Sequence, residues 1–216
     1  MAASRLQRSI ERRRTGLTLL EGPHLVAEAR NGGVPIREIF TLDESGTRVT
    51  AEALERISST RSPQSPVAVI EIPGRPLTPG RSVLVAWGIS DPGNLGAMIR
   101  TAAAFGLDVM TGADSAELWS PKVLRAAAGS HFRTGLAPVG LAGFRTVAAL
   151  ARGGGAPSAL PPGPLAVLVG SEAHGLPPDL VDAADLKVSI PMPGGTESLN
   201  AAAAAAILCY LVSSRL

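Results

Sequence analysis

What this chain has little of narrows it quickly. It holds one cysteine and three histidines in 216 residues, which rules out a disulfide framework. His24, His131 and His174 are scattered, with no HxxxH or CxxC spacing, so no metal site is expected. Cys209 lies in an apolar run and reads as a small core residue. Aromatic residues make up only 3% of the chain, too few for platforms that stack single-stranded bases. The longest uncharged apolar run, Ala201 to Val212, is about half the ~20 residues needed to span a bilayer. The N-terminus lacks the apolar core of a signal peptide, so a soluble, cytoplasmic protein is expected. Gly-rich fingerprints are missing too. With no GxGxxG after the first strand, no GxxxxGK[ST] and no GxSxG, ordinary dinucleotide, P-loop and serine-hydrolase readings lose support.

What is present is a 45% hydrophobic chain with a formal net charge of +2, enough to bury a proper core in one large or two smaller domains. The charge is unevenly spread. Residues 1–14 carry Arg5, Arg8, Arg12, Arg13 and Arg14 against Glu11 alone, and this basic segment suggests a polyanionic partner. Residues 4–14 suit a short helix with Arg5, Arg8 and Arg12 on one face. Apolar runs at 17–22, 36–42 and 66–72 read as strands, with helices over 23–31 and 50–58 between them. Residues 72–82 hold three prolines and two glycines, a composition that breaks regular structure. The expected division is therefore a small α/β domain over 1–74, a linker over 75–82 and a second domain over 83–216.

In the second domain, strands are expected at 83–89, 107–112, 165–170 and 188–192, with a short one near 134–140. Helices are expected from just after Asn94 to about Phe105, and over 120–130, 146–152, 178–184 and 201–212. The apolar side of the first helix is Leu95, Met98, Ile99 and Ala102. Residues 153–164 read as a flexible surface loop. Alternating strands and helices imply an α/β fold with a parallel sheet.

Polar residues concentrate in three loops, each following an apolar strand: Asn94 with Arg100, Glu172 between Gly170 and Gly175, and Ser198 with Asn200. Loops beyond the strand ends of a parallel sheet are where ligands bind in such folds. Ser198 and Asn200 open a helix, where unpaired N–H groups and the positive dipole end favour anionic groups. A strand, a loop and a capped helix would account for that stretch by itself. The three loops together say more.

These stretches resemble the three signature motifs of the SpoU family, the RNA ribose 2′-O-methyltransferases of the SPOUT class. Asn94, Gly96 and Arg100 match the first motif. Gly170, Glu172, Gly175 and Leu176 match the second. The third is matched by Ile190-Pro191-Met192 and Ser198-Leu199-Asn200, although Ala201 follows where valine is usual. Residues 120–132 resemble the family's connecting segment, while 153–164 is a local insertion. Residues 10–72 more weakly resemble the small RNA-binding domain that many members carry.

The resemblance implies a trefoil-knotted, parallel-sheet domain preceded by a small α/β RNA-binding domain, with S-adenosylmethionine as cofactor. By the same token Gly170, Ser171, Glu172, Gly175, Ile190, Met192 and Leu199 would bind the cofactor. Asn94, Arg100, Glu172, Ser198 and Asn200 would form the catalytic set. Asn94 and Glu172 would hold the motif loops and Arg100 in register. Arg100, always protonated, would stabilise the ribose 2′-oxyanion rather than act as a free base. Arg5, Arg8, Arg12, Arg13 and Arg14 would meet the RNA, with Arg125 and Arg133 next. Ribosomal RNA of the 23S type is expected over tRNA, and a homodimer formed on the last helix. The competing readings are a tRNA 2′-O-methyltransferase, a non-catalytic RNA-binding protein of the same fold and an unrelated nucleotide-binding α/β protein.

Overall fold

The computed structural model describes residues 3–60 and 62–214, the side chain of Ala159 excepted. Two sheets lie on either side of residues 72–82. The first has four strands, β1 (Leu17–Glu21), β2 (Ile36–Thr41), β3 (Thr47–Arg48) and β4 (Val67–Glu71), in the order β1-β4-β2-β3. β4 lies between β1 and β2 and runs antiparallel to both, so the alternation of strand and helix does not give an all-parallel sheet here. The segment expected as one helix over 4–14 is a 3-10 turn, Ala3–Gln7, followed by α1, Ser9–Thr15. Helices α2 (Pro23–Asn31) and α3 (Ala51–Ile57) pack on opposite faces of the sheet.

The second sheet has six strands: β5 (Val83–Trp87), β6 (Asp108–Thr111), β7 (Leu136–Pro138), β8 (Arg145–Ala149), β9 (Leu165–Gly170) and β10 (Leu186–Val188). Their order is β10-β8-β9-β5-β6-β7, and every pairing is parallel. β5 and β9 are buried on both faces, hence their unbroken apolar sequences. Side-chain alternation divides β5 between two packing layers. Leu84 and Ala86 join α4 (Pro92–Ala104), α5 (Pro121–Ala126) and α7 (Ala201–Ser213) in one cluster. Val83 and Val85 face the other side with Leu180 and Val181 of α6 (Pro178–Ala183). Leu95, Met98, Ile99 and Ala102 of α4 are all fully buried, as the helical spacing predicts.

Three expectations fail in this second unit. Residues 146–152 were expected to be helical, yet Arg145–Ala149 is a strand between β9 and β10. A short alanine-containing run is ambiguous by period alone, and burial between two strands decides it. The 153–164 insertion is not a free surface loop: Gly155 bridges to Val188, and Leu160 is buried in the main core. Gly154 lies so close to Val188 that an added Cβ would sit 2.4 Å from its carbonyl carbon. The last strand is shorter and earlier than expected, ending at Val188 so that Ile190–Met192 lie beyond it.

Residues 72–82 have no regular structure, but they are held along their length. Asp108, fully buried, accepts from the Thr78 N–H and the Gly135 N–H (2.9 Å) and pairs with Arg81 at 3.2 Å. The Arg75 carbonyl accepts from the Leu136 N–H at 2.7 Å, and its guanidinium bonds the Phe132 carbonyl. The two units also share a hydrophobic cluster. Leu20, Leu25, Val26, Ala68 and Ile70 of the first pack with Leu124 and Phe132 of the second.

Candidate active site

The sheet register places the motif loops. Trp87 at the end of β5 is level with Gly170 at the end of β9, so the chain leaves both strands side by side. After β5 it turns into α4, capped by Asp91, whose Oδ1 accepts from the Asn94 N–H at 2.7 Å. Asn94 is thus the third residue of α4 rather than a residue ahead of it. Gly96, two residues on, packs so tightly on α5 that a Cβ there would fall 2.3 Å from the Ala126 Cβ. That fixes the bearing of α4, and with it Asn94.

After β9 the chain makes a tight loop. The Gly175 N–H donates to the Ser171 carbonyl at 2.8 Å, and the Ser171 Oγ accepts from the His174 N–H at 3.3 Å. A Cβ on Gly170 would lie 2.1 Å from the Gly175 carbonyl carbon, and Gly175 itself has φ of +66°. Both glycines are needed to close this loop.

Glu172 stands at the crest of the loop and gathers all three motifs. Its Oε1 accepts from Asn94 Nδ2 at 2.9 Å, Asn200 Nδ2 at 2.8 Å and the Ala201 N–H at 3.1 Å. Asn200 Nδ2 also reaches Asn94 Oδ1 at 3.0 Å, and its own Oδ1 caps α7 through the Ala202 and Ala203 N–H groups. The result is a closed triangle of one carboxylate and two amides. Its three corners come from positions 78 and 28 residues apart along the chain.

Beneath this triangle lies a cleft of about 830 Å³ counting its open mouth. Gly170, Ser171, Glu172, Gly175, Ile190, Met192 and Leu199, the residues expected to bind a cofactor, all line it, together with Ser198. The structure adds Leu150 and Leu208 to the walls. Leu150 lies in the stretch misread as a helix, and Leu208 could have been found only by knowing which side of α7 turns inward. The walls are apolar and the polar groups come from two loops, Ser171 and Glu172 from one and Ser198 from the other, a composition that suits a flat nucleoside with a charged tail. These residues therefore fit S-adenosylmethionine.

Arg100 does not join the triangle. Its side chain is exposed and, among the described residues, makes no hydrogen bond or ion pair. Asn94 and Glu172 hold the loops together without touching it. Arg12, expected on an RNA-facing surface, is only 3% exposed. It donates through Nε (2.9 Å) and Nη2 (2.5 Å) to the Glu117 carboxylate and through Nη1 to the Leu6 carbonyl (2.6 Å). Arg5, Arg8, Arg13 and Arg14 remain exposed. Arg125 pairs with buried Glu21 and donates to the Ser59 hydroxyl at 2.7 Å, and Arg133 pairs with Glu28 at 2.9 Å. Cys209 is fully buried, its thiol pushed up to about 12 by desolvation, as befits a core residue.

Fold and site together define an α/β protein with a nucleoside-sized cleft at the carboxyl ends of a parallel sheet. The sequence profile of the SpoU rRNA Methylase family matches residues 81–210, and the chain belongs to that family. A Bacillus subtilis (strain 168) relative, the 23S rRNA (guanosine(2553)-2'-O)-methyltransferase RlmP, is 35% identical over 224 residues, covering 93% of this chain and 90% of that one. The crystal structure of an AdoMet-bound rRNA methyltransferase from Sinorhizobium meliloti matches with TM-score 0.88 and 26% identity, covering 100% of this chain and 94% of that one. The SpoU methyltransferase AviRb from Streptomyces viridochromogenes, in complex with AdoMet, matches with TM-score 0.86 over 99% of this chain and 96% of that one. Its 24% identity speaks to the fold alone.

Proposed function

We propose that this chain is an S-adenosylmethionine-dependent RNA methyltransferase acting on ribose 2′-hydroxyls, with ribosomal RNA of the 23S type preferred over tRNA. The observation that carries the reading is the Asn94–Glu172–Asn200 triangle standing over an apolar cleft. When bound, the cofactor supplies an electrophilic methyl group on a sulfonium centre. Leu150, Ile190, Met192, Leu199 and Leu208, which line the cleft, would wall its adenosine away from water. Glu172 holds the motif loops at fixed spacing through three hydrogen bonds to one oxygen. Ser198, exposed at the cleft mouth, orients the ribose-phosphate. Arg100, a cation with no partner of its own, sets its guanidinium against the phosphate and the negative charge developing on the 2′-oxygen. Much of the rate comes from this positioning.

The preference for 23S rRNA rests on the relative from Bacillus subtilis, matched along nearly its whole length. The test is transfer of labelled methyl from S-adenosylmethionine to protein-free 23S rRNA and to bulk tRNA, with the 2′-O-methyl position mapped. Leu199→Asp places a charge against the adenosine wall and weakens cofactor binding sharply. Labelling of tRNA alone would move the substrate to the alternative.

Three further expectations belong to the same proposal. The chain beyond β10, the outermost strand, crosses back to begin α7 against α4 and β9, a course that supports a knotted path around the cleft. Helix α7 buries Ala205, Leu208 and Cys209 but leaves Ile207 and Tyr210 at 38% and 57% exposure, with Tyr210 edge-on to Phe105 at 5.8 Å. This apolar face supports a two-fold homodimer. No helix among the described residues is long and apolar enough to cross a membrane, and the proposed place of work is the cytoplasm.

A further inference from the structure

The N-terminal segment has two sides that the activity above does not use. One side fastens it to the methyltransferase unit. Arg12 of α1 crosses to Glu117, 105 residues away, with both carboxylate oxygens engaged. Glu117 belongs to the loop between β6 and α5, which is stitched to the start of the first motif. The Gly88 N–H donates to the Ala113 carbonyl (3.1 Å), the Ile89 N–H to the Ser115 Oγ (3.2 Å) and the Ala116 N–H to the Ile89 carbonyl (2.8 Å). Next along that loop, the Trp119 carbonyl accepts from the Thr18 hydroxyl of β1 at 2.7 Å. A continuous set of hydrogen bonds thus runs from α1 to within a few residues of Asn94.

The other side of the segment is a cavity of about 1180 Å³ counting its open mouth, lined by Arg5, Glu11, Arg14, Leu17, Arg37 and Glu38, among others. Three guanidiniums and two carboxylates surround an apolar floor. Such a set complements a nucleotide: the guanidiniums face the phosphate, the carboxylates accept from ribose hydroxyl or base amino groups, and the floor takes the base. Arg14 and Arg37 are tied to Glu11 and Glu71, both at 2.8 Å, but these guanidiniums are 65% and 58% exposed. Solvent-screened pairs of this kind are weak and exchange readily for a phosphate. Arg37 lies outside the basic N-terminal run and could not be singled out from sequence.

We propose that this cavity takes a nucleotide of the substrate RNA, and that the Arg12–Glu117 tie holds it at a fixed offset from the methyl-transfer cleft. The inference rests on the methyltransferase reading. An RNA is methylated efficiently only when it presents two elements at that spacing, one to the cavity and one to the cleft. Arg5 and Arg37 then govern RNA capture, and Glu117 is a positioning residue.

The test uses the whole protein and a protein-free 23S rRNA transcript. Arg5→Gln with Arg37→Gln weakens transcript binding roughly tenfold and flattens the slope of log K against log salt by about 0.7–0.9 for each phosphate lost. It raises KM and leaves kcat and cofactor affinity unchanged. Arg37→Gln alone gives the same changes at about half the size. Glu117→Gln does the opposite, lowering kcat several-fold at an unchanged KM. Spin labels placed by Glu55→Cys and Asp179→Cys in the otherwise wild-type chain, whose Cys209 is buried, and diluted into an excess of unlabelled protein so that pairs within one chain dominate, report one narrow distance. Unchanged affinity and slope in the arginine variants would overturn the cavity. A broad distance distribution, or the same kinetic change from both kinds of variant, would overturn the fixed offset. Should the transcript not be methylated at all, the functional reading fails, while binding and distance still judge the cavity and the offset.

Discussion

The seam between the two units and the rim of the cleft use the same kinds of side chain to opposite ends. At the seam, Arg12 and Arg125 are matched to Glu117 and Glu21, with Arg12 and Glu21 nearly buried. At the rim, one exposed carboxylate is shared by two neutral amides, while Arg100, exposed on the same helix as Asn94, has no side-chain partner among the described residues. A desolvated ion pair is costly to break, because each charge left alone remains out of water. An exposed amide–carboxylate contact is cheap to remake. The seam is therefore permanent structure, and the rim contacts can open and re-form at little cost. An arginine's role here follows from whether its charge is already spent.

The largest break of this contrast is at the seam. Arg125→Met takes the cation away from the Glu21 carboxylate, 3% exposed as a side chain, and leaves it only the Ser59 N–H and hydroxyl; folding stability should fall by about 3 kcal/mol in chemical denaturation, the low end for breaking a buried pair. An unchanged midpoint would make the pair ornamental.

Next comes Arg100→Lys, which keeps the charge but loses the planar fork. Stability should not move, while single-turnover methylation slows by two to three decades, corresponding to about 3–4 kcal/mol. The deficit should persist from pH 7 to 10. Recovery to near wild-type rate at the alkaline end would instead make Arg100 a proton acceptor, since lysine has the lower pKa.

A third measurement separates seam from rim by pH. His131 is fully buried beside Trp119 (ring centroids 5.1 Å), and its Nε2 lies 2.7 Å from the Leu118 carbonyl. Burial pushes its pKa down to about 4. The unfolded chain takes up a proton near pH 6.5 that the folded chain refuses until about pH 4. Stability is therefore fully present above pH 6.5 and is lost as pH falls towards 4, by up to about 3 kcal/mol. His131→Gln should flatten that slope in denaturation between pH 4 and 6.5, and an unaltered slope would place the acid sensitivity elsewhere.

The smallest expected stability effect is at the rim. Glu172→Gln should cost less than about 1 kcal/mol of folding free energy, because the group is exposed. Methylation should still fall by at least roughly tenfold, since the loops lose a charge-assisted anchor. A matched loss of stability and activity would make Glu172 a structural residue like Glu21.

Much of this contrast was legible in the sequence, though unevenly. The cleft residues carry fixed spacings that motif resemblance captures, and all seven expected cofactor neighbours line one cavity. These seven lie at the end of β9 or in the loops that follow β9 and β10, so their spacing along the chain carries over to their place at the strand ends. The seam was illegible. Arg12 has the same helical spacing as Arg5 and Arg8, and nothing local says that its partner lies 105 residues away. Residues 145–149 were lost for a related reason: their strand identity comes from β9 and β10 on either side, not from their own pattern. Asn94 reads from sequence as lying just ahead of α4, whereas Asp91 is the cap and Asn94 the third helical residue.

The bridge from Gly155 to Val188 has a consequence for self-association. A six-stranded parallel sheet ends in a strand whose outward backbone groups can template another chain. Here β10 is one of the two edge strands, β7 being the other, and the insertion reaches over β10. The Gly155 N–H donates to the Lys187 carbonyl at 2.9 Å, and the Gly155 carbonyl accepts from the Ser189 N–H at 2.9 Å. Backbone that reads as a flexible surface loop thus covers this edge of the sheet against strand addition. Removing the backbone around Gly155 would bare that edge and turn the molecule's flank into an aggregation site.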